Sequence, residues 1–323
     1  MIVRDRPSAL QLLFTLRGSI LPRIWTHLAV STLLAVLVTW TDGQFGHHRL
    51  HFTTTPFTLM GLPLAIFLGF RNNAAYDRYW EGRKQWGELV LRSRTLARQC
   101  LSLVAPNASH HAAPHDGAAP HPGEPHLRII RRAIAYAHAL RHRLRAGTQD
   151  GDPEADVAPW LDADEWQRVR ALPNVPHALM LEMGADLGRC LRTGRLDACL
   201  APAIDASLSA MTGVAAACER IRGTPIPFSY TLLLHRTAYL YCFLLPFGLV
   251  DTIGYLTPVV SAIVAYTFFG LDALGDELEE PFRASDNGLP LDALCRTIEI
   301  DLRMALGERD LPPPLLPQND RLS

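Results

Sequence analysis

Lysine is almost missing from this chain: Lys84 is the only one, and all its other basic side chains are arginine. Surplus charge of either sign is missing as well, with 31 basic against 32 acidic residues and a net charge of −1. That balance argues against nucleic acid as a partner, because phosphate-binding surfaces carry a basic excess. The six cysteines (Cys100, Cys190, Cys199, Cys218, Cys242, Cys295) form no CxxC pair, so they are expected to be reduced and structural. No GxSxG, HExxH, phosphate loop or dinucleotide fingerprint occurs, and an enzyme reading has no support. Alternating strand patterns of useful length are lacking too, which makes the expected fold class all-α. The first apolar run is followed by no small-residue cleavage site, so no signal peptide is expected.

The apolar residues that are present concentrate in two blocks, about 24–70 and 225–271, around a polar middle. A bilayer core of ~30 Å needs about 20 apolar helical residues. Four segments come close: 24–40, which carries His27; 52–70, uncharged; 230–250, with His235 and Arg236 near its start; and 252–271, uncharged between Asp251 and Asp272. Aromatics near their ends (Trp25, Trp40, Phe45, Tyr255, Phe268, Phe269) have the placement of interfacial belts. Arg4, Arg6, Arg17 and Arg23 precede the first span, and Arg71, Arg78, Arg83 and Lys84 follow the second. The loop between them has only Arg49 against Asp42. The positive-inside rule then puts both termini and the polar regions, 71–224 and 272–323, in the cytoplasm of a multi-pass plasma-membrane protein.

The polar middle reads as soluble helix. Leu89, Leu96, Cys100 and Leu103 share one stripe, and Leu127, Ile130, Ile134 and Ala137 share another. The arginine-rich faces between them are expected to be solvated. Residues 106–125, rich in Pro, Gly, Ala and His, read as a mobile loop. His110, His111, His115, His121 and His126 are assigned to that loop, where no preorganised metal geometry is expected. His47, His48 and His51, in the short external loop, are read as solvated surface histidines, with pH sensing the alternative. No metal or other cofactor is expected.

The most informative stretch runs from Pro56 to Trp86. Its apolar run ends at Phe70, and neither Gly nor Pro occurs from Arg71 to Glu81, so a helix begun in lipid continues into water. Leu62, Ile66 and Phe70 lie four residues apart; each step advances 400°, which keeps them on one slowly drifting stripe. A ring of such stripes from several subunits makes an apolar constriction that gates ions by dewetting. Asn72, Asn73, Tyr76, Asp77 and Tyr79 lie just below, some facing a pore and others a neighbouring helix, with the sequence leaving open which. Asp77 has two readings, a cation-attracting ring or an ion pair with Arg78 or another subunit's arginine. The acidic run Asp272, Asp276, Glu277, Glu279, Glu280 reads as a solvated helix end.

Three blocks, FLGFRNNAAYDRYWEGRKQWG, CERIRGTPIPFSYTLLLHRTAYLY and DELEEPFRASDNGLPLDALCRTIE, resemble bacterial bestrophin-like channels in the family's order. The resemblance spans nearly the whole chain. It implies a homopentamer in lipid, each subunit a single channel domain over 1–323 giving four spans and a helical cytosolic region around one pore. It puts the pore neck at Leu62, Ile66 and Phe70, and by position a second, cytosolic constriction near Cys199 or Leu200. Animal members carry a calcium clasp of clustered carboxylates after a Pro-Phe pair. Here Pro281-Phe282 is followed by Arg283, Ala284, Ser285, Asp286, Asn287 and Gly288, too few oxygens for an ion that wants six to eight. The expected function is conduction of small monovalent ions, cations slightly favoured by the acidic run and the bacterial character of the motif, with chloride conduction as in animal members the alternative. A membrane scaffold and a secondary transporter are the remaining readings; for the latter, internal repeats with broken helices are missing.

Overall fold

The computed structural model describes residues 1–3, 15, 18–41, 44–45, 48–49, 53–105, 124–146 and 151–323. Most of the expected 106–125 loop, with His110, His111, His115 and His121, lies outside them, as do His47, His51 and the arginines at 4, 6 and 17. The helices are α1 (Leu21–Trp40), α2 (Thr55–Leu103), α3 (Pro125–Arg145), α4 (Pro153–Val157), α5 (Ala163–Arg170), α6 (Val175–Arg192), α7 (Ala201–Gly223), α8 (Phe228–Ile253), α9 (Thr257–Glu279) and α10 (Leu291–Ala305). Single 3-10 turns follow α4 (Ala158–Trp160) and α8 (Gly254–Leu256). The one sheet among the described residues is an antiparallel pair of two-residue strands, β1 (Gln44–Phe45) and β2 (His48–Arg49), and the fold is all-α as expected.

The chain divides into two compact units. The first consists of residues 4–80 and 224–281, the second of 1–3, 81–223 and 282–323. All four expected spans belong to the first. By length and composition alone, Leu21–Trp40, Ala201–Gly223 and Phe228–Glu279 are apolar enough to cross a membrane. The apolar part of α2 falls outside that set because Arg71 follows Phe70 directly. Ala201–Gly223 owes its hydropathy partly to a stripe that the second unit buries: Ile204, Leu208, Met211, Val214, Cys218 and Ile221.

In the first unit, Leu64 and Leu68 of α2 join Ile24 of α1, Leu234, Ala238, Tyr241 and Leu245 of α8, and Ala265, Phe268 and Phe269 of α9 in one core. Two glycines allow the helices this close. A Cβ on Gly61 would sit 2.8 Å from the Tyr241 hydroxyl, and one on Gly248 would sit 2.3 Å from the Phe57 ring. Where the apolar part of α2 ends, Arg71 turns inward and is fully buried. Its Nη1 donates to Asp272 Oδ1 at 2.8 Å and to the Asp272 carbonyl at 3.2 Å; Nη2 bonds Asp276 and lies 3.7 Å from Glu279 Oε2. His235 Nδ1 of α8 meets the other Asp272 oxygen at 2.7 Å. Positions 272, 276 and 279 share one face of α9, so a single helix supplies all three carboxylates.

In the second unit α3 is buried almost all round. Its expected stripe is in place, but the expectation that its arginines are solvated is overturned: Arg132, Arg141 and Arg145 are 5%, 6% and 3% exposed. Neighbouring helices supply acids. Arg132 bonds Glu165 of α5 at 2.6 Å and Asp186 of α6 at 2.5 Å; Arg141 and Arg145 meet Asp292 of α10 at 2.9 and 3.0 Å. His126 also departs from expectation, lying buried in the first turn of α3 rather than in a loop. Burial pushes the thiols of Cys100, Cys218 and Cys295 up to about 12, and all six cysteines are free.

Removing Arg71 strands its carboxylates, so Arg71→Ala is expected to cost about 3–5 kcal/mol. Arg23→Ala, which breaks an exposed pair with Glu277, is expected to cost less than about 1 kcal/mol; melting in detergent checks the contrast. His138 is buried, neither ring nitrogen has a hydrogen-bond partner, and burial together with Arg141 lowers its pKa to about 4. The unfolded chain, titrating near ~6.5, binds the extra proton between those values. This contribution is complete above pH ~6.5 and is lost as pH falls towards ~4, by up to about 3 kcal/mol. Melting temperatures of His138→Phe are therefore expected to fall less between neutral pH and pH ~5 than those of the parent.

Candidate functional site

Helix α2 has two opposite faces. Leu64 and Leu68, 3% and 0% exposed, pack into the core, and Arg71 and Ala75 continue that seam. Leu62, Ile66 and Phe70 are 67%, 47% and 60% exposed. Ile66 lies 200° from Leu64 at 100° per residue, which turns this stripe away from the core of its own subunit. The stripe continues through Asn73 and Asp77, both exposed and reached by further steps of three and four. Asn72 instead faces the neighbouring helix, its Nδ2 donating to the Leu271 carbonyl at 3.1 Å. Asp77 makes no ion pair among the described residues. Phe67 flanks the stripe, its ring edge-on to Phe70 with centroids 6.2 Å apart and its carbonyl accepting from the Tyr230 hydroxyl at 3.0 Å.

The local sequence accounts for this arrangement. Pro63 gives no N–H to the preceding turn, yet α2 runs through it without a break. Below Phe70 the helix has neither Gly nor Pro before Gly82, so the apolar and polar parts of the stripe hold one register.

The acidic run at the end of α9 is engaged within the subunit. Asp272, Asp276 and Glu279 surround Arg71, Glu277 pairs with Arg23 at 3.0 Å, and Glu279 Oε1 also accepts from the Ile226 N–H at 2.9 Å. These carboxylates are therefore not the solvated helix end that their spacing suggested. Reading the sequence missed this node; its signal was a lone arginine at the end of an apolar run, with acids at steps of four and three in another span.

Cys199 and Leu200 are exposed in the turn that opens α7, where Asp197 Oδ1 accepts from the Cys199 N–H at 2.7 Å. Among the described residues no three His, Cys, Asp or Glu side chains are grouped to hold a metal ion. After Phe282 the carboxylates meet guanidinium groups. Arg145 Nε donates to the Phe282 carbonyl at 3.2 Å while its Nη1 holds Asp292, and Arg321 lies 3.5 Å from Asp286. Each of these two carboxylates thus has an arginine beside it.

Comparison with known proteins agrees with the three sequence blocks. Residues 1–304 match the family model described as Bacterial/Fungal Bestrophin protein. A protein of Mesorhizobium japonicum named as a voltage-dependent anion channel-forming protein is 43% identical over 98% of this chain and 95% of its own length. YneE of Escherichia coli K12, with the same descriptive name, is 40% identical over 98% of both chains. Among solved structures, a bacterial bestrophin homologue from Klebsiella pneumoniae superposes with a TM-score of 0.77 at 36% identity, covering 88% of this chain and 99% of that one. The sequence match along almost the full length, and a shared all-helical fold, place this chain in the bacterial and fungal bestrophin family.

Proposed function

We propose that copies of this chain, five as the family resemblance implies, surround one pore in the bacterial plasma membrane and conduct small monovalent ions. Both termini are assigned to the cytoplasmic side. The observation that carries the reading is the exposed apolar stripe of Leu62, Ile66 and Phe70 on a helix whose opposite face is fully packed. A single subunit has nothing to cover that stripe, and symmetric closure supplies the other walls. Spanning residues 62 to 70, the stripe makes a dry stretch of about 12 Å at 1.5 Å per residue. An ion crossing it loses water and finds no replacing oxygens, so the stretch acts as the gate. Cys199 and Leu200 are assigned to a second constriction on their exposure and their place at the start of α7.

An apolar neck does not choose the sign of the ion; charges beside it do. Asp77, exposed on the same stripe and without an ion pair among the described residues, favours cations. The acidic run of α9 does not supply such a charge, since Asp272, Asp276 and Glu279 face Arg71 and Glu277 pairs with Arg23. Anion conduction is the second reading, favoured by the names of the related proteins. Purified protein in a planar bilayer tests both: single-channel steps are expected, and a scaffold or transporter gives none. Under a salt gradient the reversal potential is expected on the cation side and to move towards zero in Asp77→Asn. A reversal potential on the anion side replaces the cation reading with the anion one.

The same recordings test the gate. Ile66→Ala and Phe70→Ala are expected to pass more current than the parent, while Phe67→Ala, about 100° around the helix from Ile66, is expected mainly to lower stability. Opening by Phe67→Ala without opening by Ile66→Ala would show that another face lines the pore. Calcium at micromolar concentration on the cytosolic side is expected to leave open probability unchanged, because Arg145 and Arg321 already neutralise the carboxylates after Phe282. A rise that disappears in Asp286→Ala would overturn this.

A further inference from the structure

The second unit holds a cavity of about 500 Å³, within the ~300–1,000 Å³ usual for small-molecule sites. We propose that it binds a small organic anion with a flat apolar body, for which an aromatic carboxylate is the simplest chemistry.

The walls supply an apolar face and a surplus of positive charge. Val157, Trp166 and Val175 give the cavity an apolar wall, and the Arg170 guanidinium lies 5.9 Å from the centre of the Trp166 ring. Three guanidinium groups line it against two carboxylates. Arg143 pairs with Glu219 behind the wall, and Arg170 pairs with Glu154 at 3.0 Å. Arg222 has no carboxylate partner among the described residues. It reaches the end of α3, donating through Nη1 to the Arg143 carbonyl and through Nη2 to the Ala146 carbonyl at 2.8 Å. Of the five N–H groups on a guanidinium, three are left to meet an anion. The remaining lining carboxylate, Asp152, is exposed at the rim and accepts from the Glu154 N–H at 2.9 Å. The lining residue His142 is held by Asp156 at 2.8 Å.

The N-terminal end of the 18-residue helix α6 also lines the cavity through Val175 and Pro176. Its partial positive charge adds to that of Arg222. An apolar wall beside a guanidinium with no carboxylate partner among the described residues selects a ligand with both parts, whereas a bare inorganic anion uses only one.

Titration calorimetry of the full chain in detergent tests this with benzoate as the probe. The readout is binding and is independent of whether the protein conducts. Saturable binding of benzoate is expected, with acetate (charge without ring) and benzyl alcohol (ring without charge) weaker by about tenfold or more. Arg222→Met is expected to weaken benzoate by about tenfold or more. Asp152→Asn, which keeps the cap on α4, is expected to tighten it; this second variant decides the matter if Arg222→Met fails to fold. Absence of saturable binding, equal binding of benzyl alcohol, or an affinity unmoved by the substitutions would overturn the proposal.

Discussion

A guanidinium buried at the end of an apolar helical run has few ways to exist, and the structure around Arg71 meets their demands. A buried charge needs opposite charge brought to it. Asp272, Asp276 and Glu279 do this from one face of α9, and His235 of α8 takes the remaining Asp272 oxygen. The inward side of α2 is fixed as a result. With Arg71 bound to α9 and Leu64 and Leu68 in the core, the rotation that exposes Leu62, Ile66 and Phe70 is determined. The node therefore sets which residues can line a pore, although it need not touch an ion itself.

The second unit solves the same problem repeatedly. Arg132, Arg141 and Arg145 project from a helix that is buried almost all round, and each meets acids from other helices. The near-absence of lysine fits this use. Arginine offers a planar fork that can bond two carboxylates at once, as Arg132 does with Glu165 and Asp186, and it is more weakly hydrated than an ammonium group. A buried pair of this kind is weak evidence for added stability, since desolvation offsets the attraction. Its effect is to fix which helices meet and in what register.

How much of this was legible in the sequence depended on whether the cause was local. The long apolar helices, the continuous α2 and the common stripe of 62, 66 and 70 follow from hydropathy and from the 3.6-residue repeat. The core faces of α2 and α3, from Leu89 to Cys100 and from Leu127 to Ala137, were readable in the same way. What periodicity could not supply was the partner of a charge. Arg132 and Arg145 looked solvated because their acids lie far along the chain, in α5, α6 and α10. The acidic run of α9 looked like a helix end facing water because its arginine is 201 residues from Asp272 in the chain. Of the polar residues below Phe70, only the structure separates Asn72, which faces Leu271, from Asn73 and Asp77, which do not.

The distribution of cysteine has a practical consequence. Five of the six thiols are buried, and only Cys199, in the turn before α7, is exposed. A maleimide-linked spin label or fluorophore would thus find one accessible attachment point per chain without any cysteine having first to be replaced. In a symmetric assembly that single point becomes a set of equivalent reporters whose mutual spacings depend on the number of copies and on the radius at which α7 begins. Pulsed dipolar spectroscopy or stepwise photobleaching on otherwise native protein could then count subunits and follow the width of the ring at that level.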